Sequence, residues 1–251
     1  MQTDADARRV AIVTGSAKGI GRAIALAFAR KGVIPVVVDI DREAAQSVVA
    51  EIKGEGIDTD YFLCDVSVVD DIKQCLAGVA SRIGPVDILV NNAGILSTTS
   101  ICDLDEAEWQ RVMDVNLKSA VFATQAVLTH MIPRKWGRII NVASMAGRMG
   151  GFDTGCAYSV SKAGMIGLTM RVARRVAGEG ITVNAIAPGP TNTELVQGFA
   201  PEVRKRLIDG IPVGRAIEPQ RIGETAAFLA SDAAEFITGA VIDVNGGMFM
   251  G

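Results

Sequence analysis

Three side chains in the middle of the chain have the types and spacing to move a proton. Tyr158 and Lys162 stand four apart in "CAYSVSKAG", and Ser144 precedes them at the end of the largely apolar run "GRIINVAS". On a helix that spacing puts phenol and ammonium on one face, one turn apart. A phenol with an ordinary pKa of about 10 is a poor base at neutral pH, but a neighbouring cation favours its phenolate. Tyr158 then becomes a usable proton shuttle, and Ser144 can hydrogen-bond a substrate oxygen and turn it toward the phenol. A lone tyrosine and lysine at this spacing also occurs on ordinary helix surfaces. The weight therefore falls on what else the chain carries.

The stretch "VTGSAKGIGRAIALAFARKGVIPVVVDID", Val13 to Asp41, spaces three glycines between an apolar and an amphipathic run. It reads as a dinucleotide site, a mononucleotide phosphate loop or a tight turn. A loop that follows a strand and opens a helix can offer backbone N–H groups and the positive helix end to a pyrophosphate. Gly15 permits the turn, Gly19 admits the ligand, and Gly21 lets helix and strand pack closely. No Lys-Ser or Lys-Thr pair follows the last glycine, which disfavours the mononucleotide loop. Asp39, with Ile40 beside it, ends the next apolar run about 20 residues on, where a carboxylate can accept from both hydroxyls of an adenosine ribose and repels a 2′-phosphate. Asp39 could instead cap the next helix, but Asp41 is better placed just before "REAAQ". The reading is therefore a preference for NAD(H). Lys18, a cation within the loop, leaves NADP(H) open.

The bulk composition excludes other classes. The 251 residues include 25 basic and 28 acidic side chains, a net charge of −3, so no polybasic surface points to nucleic acid or membrane. The densest basic cluster, "RVARR" at Arg171 to Arg175, reads as a solvated helix face. Cys64, Cys75, Cys102 and Cys156 show no metal-ligand spacing, and His130 is the one histidine, so no metal site is expected. Each cysteine reads as a small apolar residue in a reducing compartment, with Cys156 closest to the chemistry. The start "MQTDADARRV" resembles no targeting segment, and the apolar "SAVFATQAVLTHMIP" is shorter than a bilayer span of roughly 20 residues. A cytoplasmic protein is expected.

The elements that must position these groups follow from periodicity. "RRVAIVT", "VIPVVVD", "TDYFLCD", "VDILVNNAG", "GRIINVAS", "ITVNAIAPG" and "AVIDVNGG" read as seven strands, alternating with amphipathic helical stretches. Strands apolar on both faces predict an α/β fold: a Rossmann-like, doubly wound seven-stranded parallel sheet with helices on both faces. No linker or repeat divides the chain, so residues 1–251 are expected to form one domain. Residues 190–215 make a long excursion after the sixth strand, a candidate substrate-binding loop or lid. Alternatively the excursion only covers the core.

In order along the chain, Thr14-Gly15 with "SAKGIG", Asp65 in "CDV", "NNAG" at Asn91 to Gly94, Asn116 in "DVNLKS", Ser144, the Tyr158/Lys162 pair and "PGPTNT" at Pro188 to Thr193 resemble the classical short-chain dehydrogenase/reductase family. The resemblance spans nearly the whole chain. It implies an NAD(P)-dependent oxidoreductase that interconverts a secondary alcohol and a ketone. Tyr158 would be the general acid/base, Lys162 would hold the nicotinamide ribose and lower the tyrosine pKa, Ser144 would position the carbonyl, and Asn116 would help hold a proton-relay water. The loop from Gly15 through Ser16, Lys18, Gly19 and Ile20 to Gly21 would meet the dinucleotide, and Asp65 and Val66 its adenine. Asn91, Ala93 and Gly94 would flank the adenosine ribose, while Pro188, Gly189, Thr191 and Thr193 would meet the nicotinamide end. Residue chemistry alone leaves Asn116 equally a mid-helix polar residue bonding backbone, and Asp65 equally a helix cap.

Within enzymes the nearest alternative is an NADPH-dependent 3-oxoacyl-thioester (acyl-carrier-protein) reductase, against which Asp39 argues. A non-catalytic dinucleotide sensor would be expected to lack Ser144, Tyr158 or Lys162. For the substrate, a small-molecule alcohol or ketone, the expected wall is Ile95, Leu96, Met145 to Phe152 and the loop from Thr193 to Arg215. Arg148, Asp153 and Glu194 are its polar candidates, although Arg148 reads more readily as a solvent-facing loop residue than as an anion-binding one. The apolar C-terminus "EFITGAVIDVNGGMFMG" needs a partner surface, and the resemblance implies a homotetramer with this segment at one interface.

Overall fold

The computed structural model describes residues 8–251, apart from the side chain of Leu195; the acidic start, residues 1–7, lies outside them. In chain order the elements are β1 (Val10–Thr14), α1 (Gly19–Arg30), β2 (Ile34–Asp39), α2 (Arg42–Gly54), β3 (Tyr61–Leu63), α3 (Val69–Arg82), β4 (Val86–Asn91), α4 (Glu106–Met113), α5 (Ser119–Arg134), β5 (Gly137–Val142), α6 (Ala146–Met149), α7 (Cys156–Val176), β6 (Ile181–Pro188), α8 (Glu194–Gln197), α9 (Pro201–Asp209), α10 (Pro219–Ala230) and β7 (Val241–Val244). Among the described residues the strands form one seven-stranded sheet in the order β3-β2-β1-β4-β5-β6-β7, and every neighbouring pair is parallel.

The strands read as continuous apolar runs because both faces are covered. Val10 and Ile12 pack with Val36 and Val38 in one core, whereas Ala11 and Val13 pack with Ile88 and Val90 in another. Alternate side chains of a strand leave opposite faces, so each strand needs two covers. The first core is closed by Ile72 and Val79 of α3, Val127 and Met131 of α5, and Val176 of α7. The second is closed by Ile24 and Phe28 of α1 with Ile222 and Ala226 of α10. Asp41 begins α2 by accepting from the Ala44 N–H at 3.1 Å, the capping role assigned to it by spacing. Such a cap is worth about 1 kcal/mol. The third strand is shorter than "TDYFLCD" suggests, because β3 is an edge that pairs only with β2 over three residues.

The order reverses direction between β1 and β4, which are neighbours although far apart in sequence. Loops leaving the C-terminal ends of these two strands diverge and open a crevice. The excursion after β6 holds α8 and α9 and is pinned at its base by a bridge between Thr191 and Ile217. Among the described residues, no helix is long and apolar enough to cross a membrane. Arg171, Arg174 and Arg175 lie exposed on α7, and His130 lies exposed near the end of α5.

Candidate active site

A cavity of about 480 Å³ lies over the crevice between β1 and β4. Its floor is the glycine loop. Gly15 and Gly19 have φ of +62° and +53°, a left-handed backbone that other residues enter at a cost. A Cβ on Gly15 would come within 2.8 Å of the Ala93 Cα, and one on Gly21 would strike the Gly15 carbonyl and approach Asn92 Nδ2 to 2.5 Å. The glycines thus let the first turn of α1 and the β4 loop meet at one cradle. Asn92 fastens that meeting by donating from Nδ2 to the carbonyls of Thr14 at 2.8 Å and Gly15 at 2.9 Å.

Asp39 stands at the rim of the cradle. Its Oδ2 accepts from the Ala17 N–H at 2.9 Å, and its Oδ1 accepts from the N–H groups of Ile40 and Asp41 at 2.8 and 3.1 Å. A carboxylate has about four lone-pair sites, so three backbone donors orient it and leave capacity toward the cavity. Lys18 is held by Asp41, with Nζ 2.8 Å from Oδ2, and this bond raises the Lys18 pKa and lowers that of Asp41. Its ammonium is already engaged. Ile40, Asp65, Val66, Ala93 and Gly94 line the same cavity, as do Ile20, Pro188, Gly189, Thr191, Thr193 and Glu194. Asp65 does not cap α3, whose N-cap is Val68; it accepts instead from Ser67 N–H at 2.9 Å and Ser67 Oγ at 2.7 Å.

At the far end of the cavity, Ser144, Tyr158 and Lys162 converge from the β5 loop and α7. Lys162 Nζ donates to the Val142 carbonyl at 2.8 Å and lies 5.8 Å from the Tyr158 ring centroid. Burial dominates both groups. It pushes the Tyr158 phenol up, opposed by a hydrogen bond with Ser144, and it pulls Lys162 down to about 8. In the protein alone, desolvation therefore outweighs the bond with Ser144 and holds the phenol above its ordinary value.

Four expected site residues point elsewhere. Asn91 is the last residue of β4, and its side chain enters the opposite face, where Nδ2 donates to Asn141 Oδ1 at 2.8 Å and Thr124 Oγ1 at 3.2 Å. The period of two puts the next residue, Asn92, on the cavity, a placement that strand alternation could have revealed. Ser16 is fully buried, donating to the Val13 carbonyl and accepting from the Val38 N–H, and so shapes the loop rather than lining it. Asn116 lies in a π-helical turn, Asp114–Lys118, that joins α4 to α5. Its Oδ1 accepts from the Ile95 N–H at 2.8 Å, while Nδ2 donates to the Ile95 carbonyl and Ser161 Oγ. That amide ties the β4 loop to α7 behind the cavity, which is the backbone-bonding alternative raised by its sequence position. Arg148 turns away toward the C-terminus: it lies over the Phe249 ring at 4.7 Å, 3.4 Å from Asp243 and 3.2 Å from the Gly251 oxygen. An anion-binding role in the pocket does not follow from that position.

A second cavity, of about 110 Å³, adjoins the first at Ser144 and Tyr158. Met145 and Phe152 line it from one side and Val196, Phe199 and Leu207 from the other. Among the described residues no group of three or more His, Cys, Asp or Glu side chains could hold a metal ion.

A family model described as enoyl-(acyl carrier protein) reductase matches residues 15–249. The chain belongs to the short-chain dehydrogenase/reductase family. It is 41% identical to the 3-oxoacyl-(acyl-carrier-protein) reductase FabG of Staphylococcus epidermidis, over 96% of this chain and 98% of that protein. Identity to the acetoacetyl-CoA reductase of Allochromatium vinosum is 39%, over 96% and 99% of the two chains. The solved structure of gox2181 superposes with a TM-score of 0.92 at 34% identity, covering 96% of this chain and 95% of that one. As a short-chain dehydrogenase/reductase the chain is an oxidoreductase of the NAD(P)-using kind, and its glycine cradle suits such a dinucleotide: Gly15, Gly19 and Gly21 line the cavity, and a Cβ at Gly15 or Gly21 would strike the atoms whose close approach shapes it.

Proposed function

We propose that this enzyme reduces the ketone of 3-oxoacyl thioesters, with NADH as coenzyme. This narrows the alcohol–ketone interconversion expected from the residues. The observation that carries it is the convergence of Ser144 and Tyr158 on the wall between the cavity floored by the glycine loop and a small, largely apolar pocket. The names of the two relatives support the thioester, since each describes reduction of a 3-oxoacyl group, one on acyl carrier protein and the other on coenzyme A. Asp39 and the engaged Lys18 support NADH.

In this reading the Ser144 hydroxyl donates to the ketone oxygen and fixes it beside Tyr158. A bound NADH supplies the hydride. Tyr158 gives its proton to the oxygen, so the ketone becomes a secondary alcohol, and the phenol regains a proton from solvent. Lys162 holds the ribose hydroxyls of the coenzyme, and Asn116 positions the loop and helix on which these groups sit. Residues 190–215 act as the lid over the substrate. The expected homotetramer belongs to the same proposal, supported by the exposed Phe236 and Met250 near the β7 edge; sedimentation as a monomer would count against it.

The pH dependence follows from the two shifts. The raised pKa of Tyr158 keeps the phenol protonated through neutrality, which suits a proton donor, while Lys162 loses its charge as pH rises through about 8. Reduction is expected to show a level kcat/KM below neutrality and a fall above about pH 8, a limb that Lys162→Met should lack. The overall assignment is tested by following NADH absorbance with 3-oxobutanoyl thioesters beside simple ketones and, in reverse, simple secondary alcohols. Faster turnover of the thioesters is expected; no turnover of any thioester would refute the assignment.

A further inference from the structure

The small pocket beside Ser144 and Tyr158 has two walls that are held differently. One is the turn after α6, where Ser159 of α7 donates from Oγ to the Gly150 carbonyl at 2.8 Å and shares a 3.0 Å hydrogen bond with Thr154. That wall is fastened to the same helix that carries Tyr158 and Lys162. The other is the excursion, whose Val196, Phe199 and Leu207 face the pocket from α8, α9 and the link between them. One ion pair spans the two walls, between Asp153 of the turn and Arg206 of α9. Asp153 is mostly covered and Arg206 mostly exposed, and the second carboxylate oxygen of Asp153 is buried without a partner. An unpaired buried acceptor is costly, and the bond from Arg206 to the other oxygen offsets part of the cost of covering this carboxylate.

The pocket, at about 110 Å³, has less than a quarter of the volume of the neighbouring cavity of about 480 Å³. A carrier protein or coenzyme attached through the thioester is far larger and must remain outside, leaving the acyl end to enter. With the ketone at Ser144 and Tyr158, the acyl end beyond it runs between the two walls.

Resting on the thioester-reductase reading, we propose that the Asp153–Arg206 pair latches α9 over the substrate pocket and restricts reduction to short 3-oxoacyl groups. A longer chain must part the walls that the pair holds together or leave the pocket by its open side, where it gains no cover from Phe199 and Leu207. Asp153 and Arg206 are thus specificity-determining residues that touch neither the coenzyme nor the reacting oxygen.

The test is a chain-length profile on the full enzyme with NADH, using 3-oxobutanoyl, 3-oxohexanoyl, 3-oxooctanoyl and 3-oxodecanoyl thioesters of one carrier. The expected result is a fall in kcat/KM of at least about tenfold between the hexanoyl and decanoyl substrates, the scale on which apolar pockets discriminate methylenes. Arg206→Ala should raise the decanoyl-to-butanoyl ratio by about fivefold or more, chiefly through KM, and Arg206→Lys should restore it. Asp153→Asn provides the same reading from the other wall should the first variant fold poorly. A level wild-type profile, or a ratio unmoved in folded Arg206→Ala and Asp153→Asn, overturns the latch while leaving the reductase assignment in place. Failure to turn over any of the thioesters overturns both.

Discussion

Tyr158→Phe is expected to lower kcat for ketone reduction by about a thousandfold while coenzyme affinity stays within about threefold of the parent enzyme. The change removes one oxygen and keeps the ring, so α7 keeps its packing and Lys162 keeps its bond to the Val142 carbonyl. What disappears is the proton donor, and general acid catalysis by a positioned side chain contributes about a hundred- to ten-thousandfold. Only two tyrosines occur in the chain; the other, Tyr61, lies on edge strand β3 and accepts from Arg42 and Gln46, so it cannot substitute. Fluorescence titration with NADH separates binding from turnover. Retained turnover would remove Tyr158 from the mechanism, whereas lost coenzyme binding would mean that its hydroxyl serves the dinucleotide.

The parent enzyme is expected to favour NADH over NADPH by about a hundredfold in kcat/KM, and Asp39→Asn to narrow that margin by at least about tenfold. Two like charges about 4 Å apart repel by about 4 kcal/mol at the effective dielectric of a protein surface, and each 1.4 kcal/mol is about tenfold. A phosphate beside Asp39 would meet that repulsion without relief from Lys18, whose ammonium is 2.8 Å from Asp41. Asparagine removes the charge while its remaining oxygen can still accept from the Ala17 N–H. Asp41→Asn, made together with it, should release Lys18 and widen NADPH use further. Efficiencies measured with both coenzymes decide the matter, and a parent enzyme that prefers NADPH would overturn the role given to Asp39.

The legible features are those whose physics is local. Apolar runs long enough for two-sided burial announced the strands of the sheet, and Asp41 immediately before "REAAQ" announced the cap of α2. The glycines of the loop and the four-residue step from Tyr158 to Lys162 depend on backbone conformation and helix pitch over a few positions, and the structure brings both to one cavity. Asn91 and Asn92 mark the boundary of this kind of reading. Both stand in "NNAG", yet alternation at the end of β4 sends one into the interior and the other to the glycine cradle.

By itself the sequence determined the doubly wound sheet, the dinucleotide loop and the residue types available for proton transfer, because periodicity and short-range spacing encode them. Tertiary structure alone decided where Arg148 and Asn116 spend their hydrogen bonds and that Asp41 occupies Lys18. It also decided that burial raises the Tyr158 pKa and that Asp153 meets Arg206 across the small pocket beside it. Those outcomes depend on distance and desolvation between segments that only folding brings together, and no local pattern in the chain carries them.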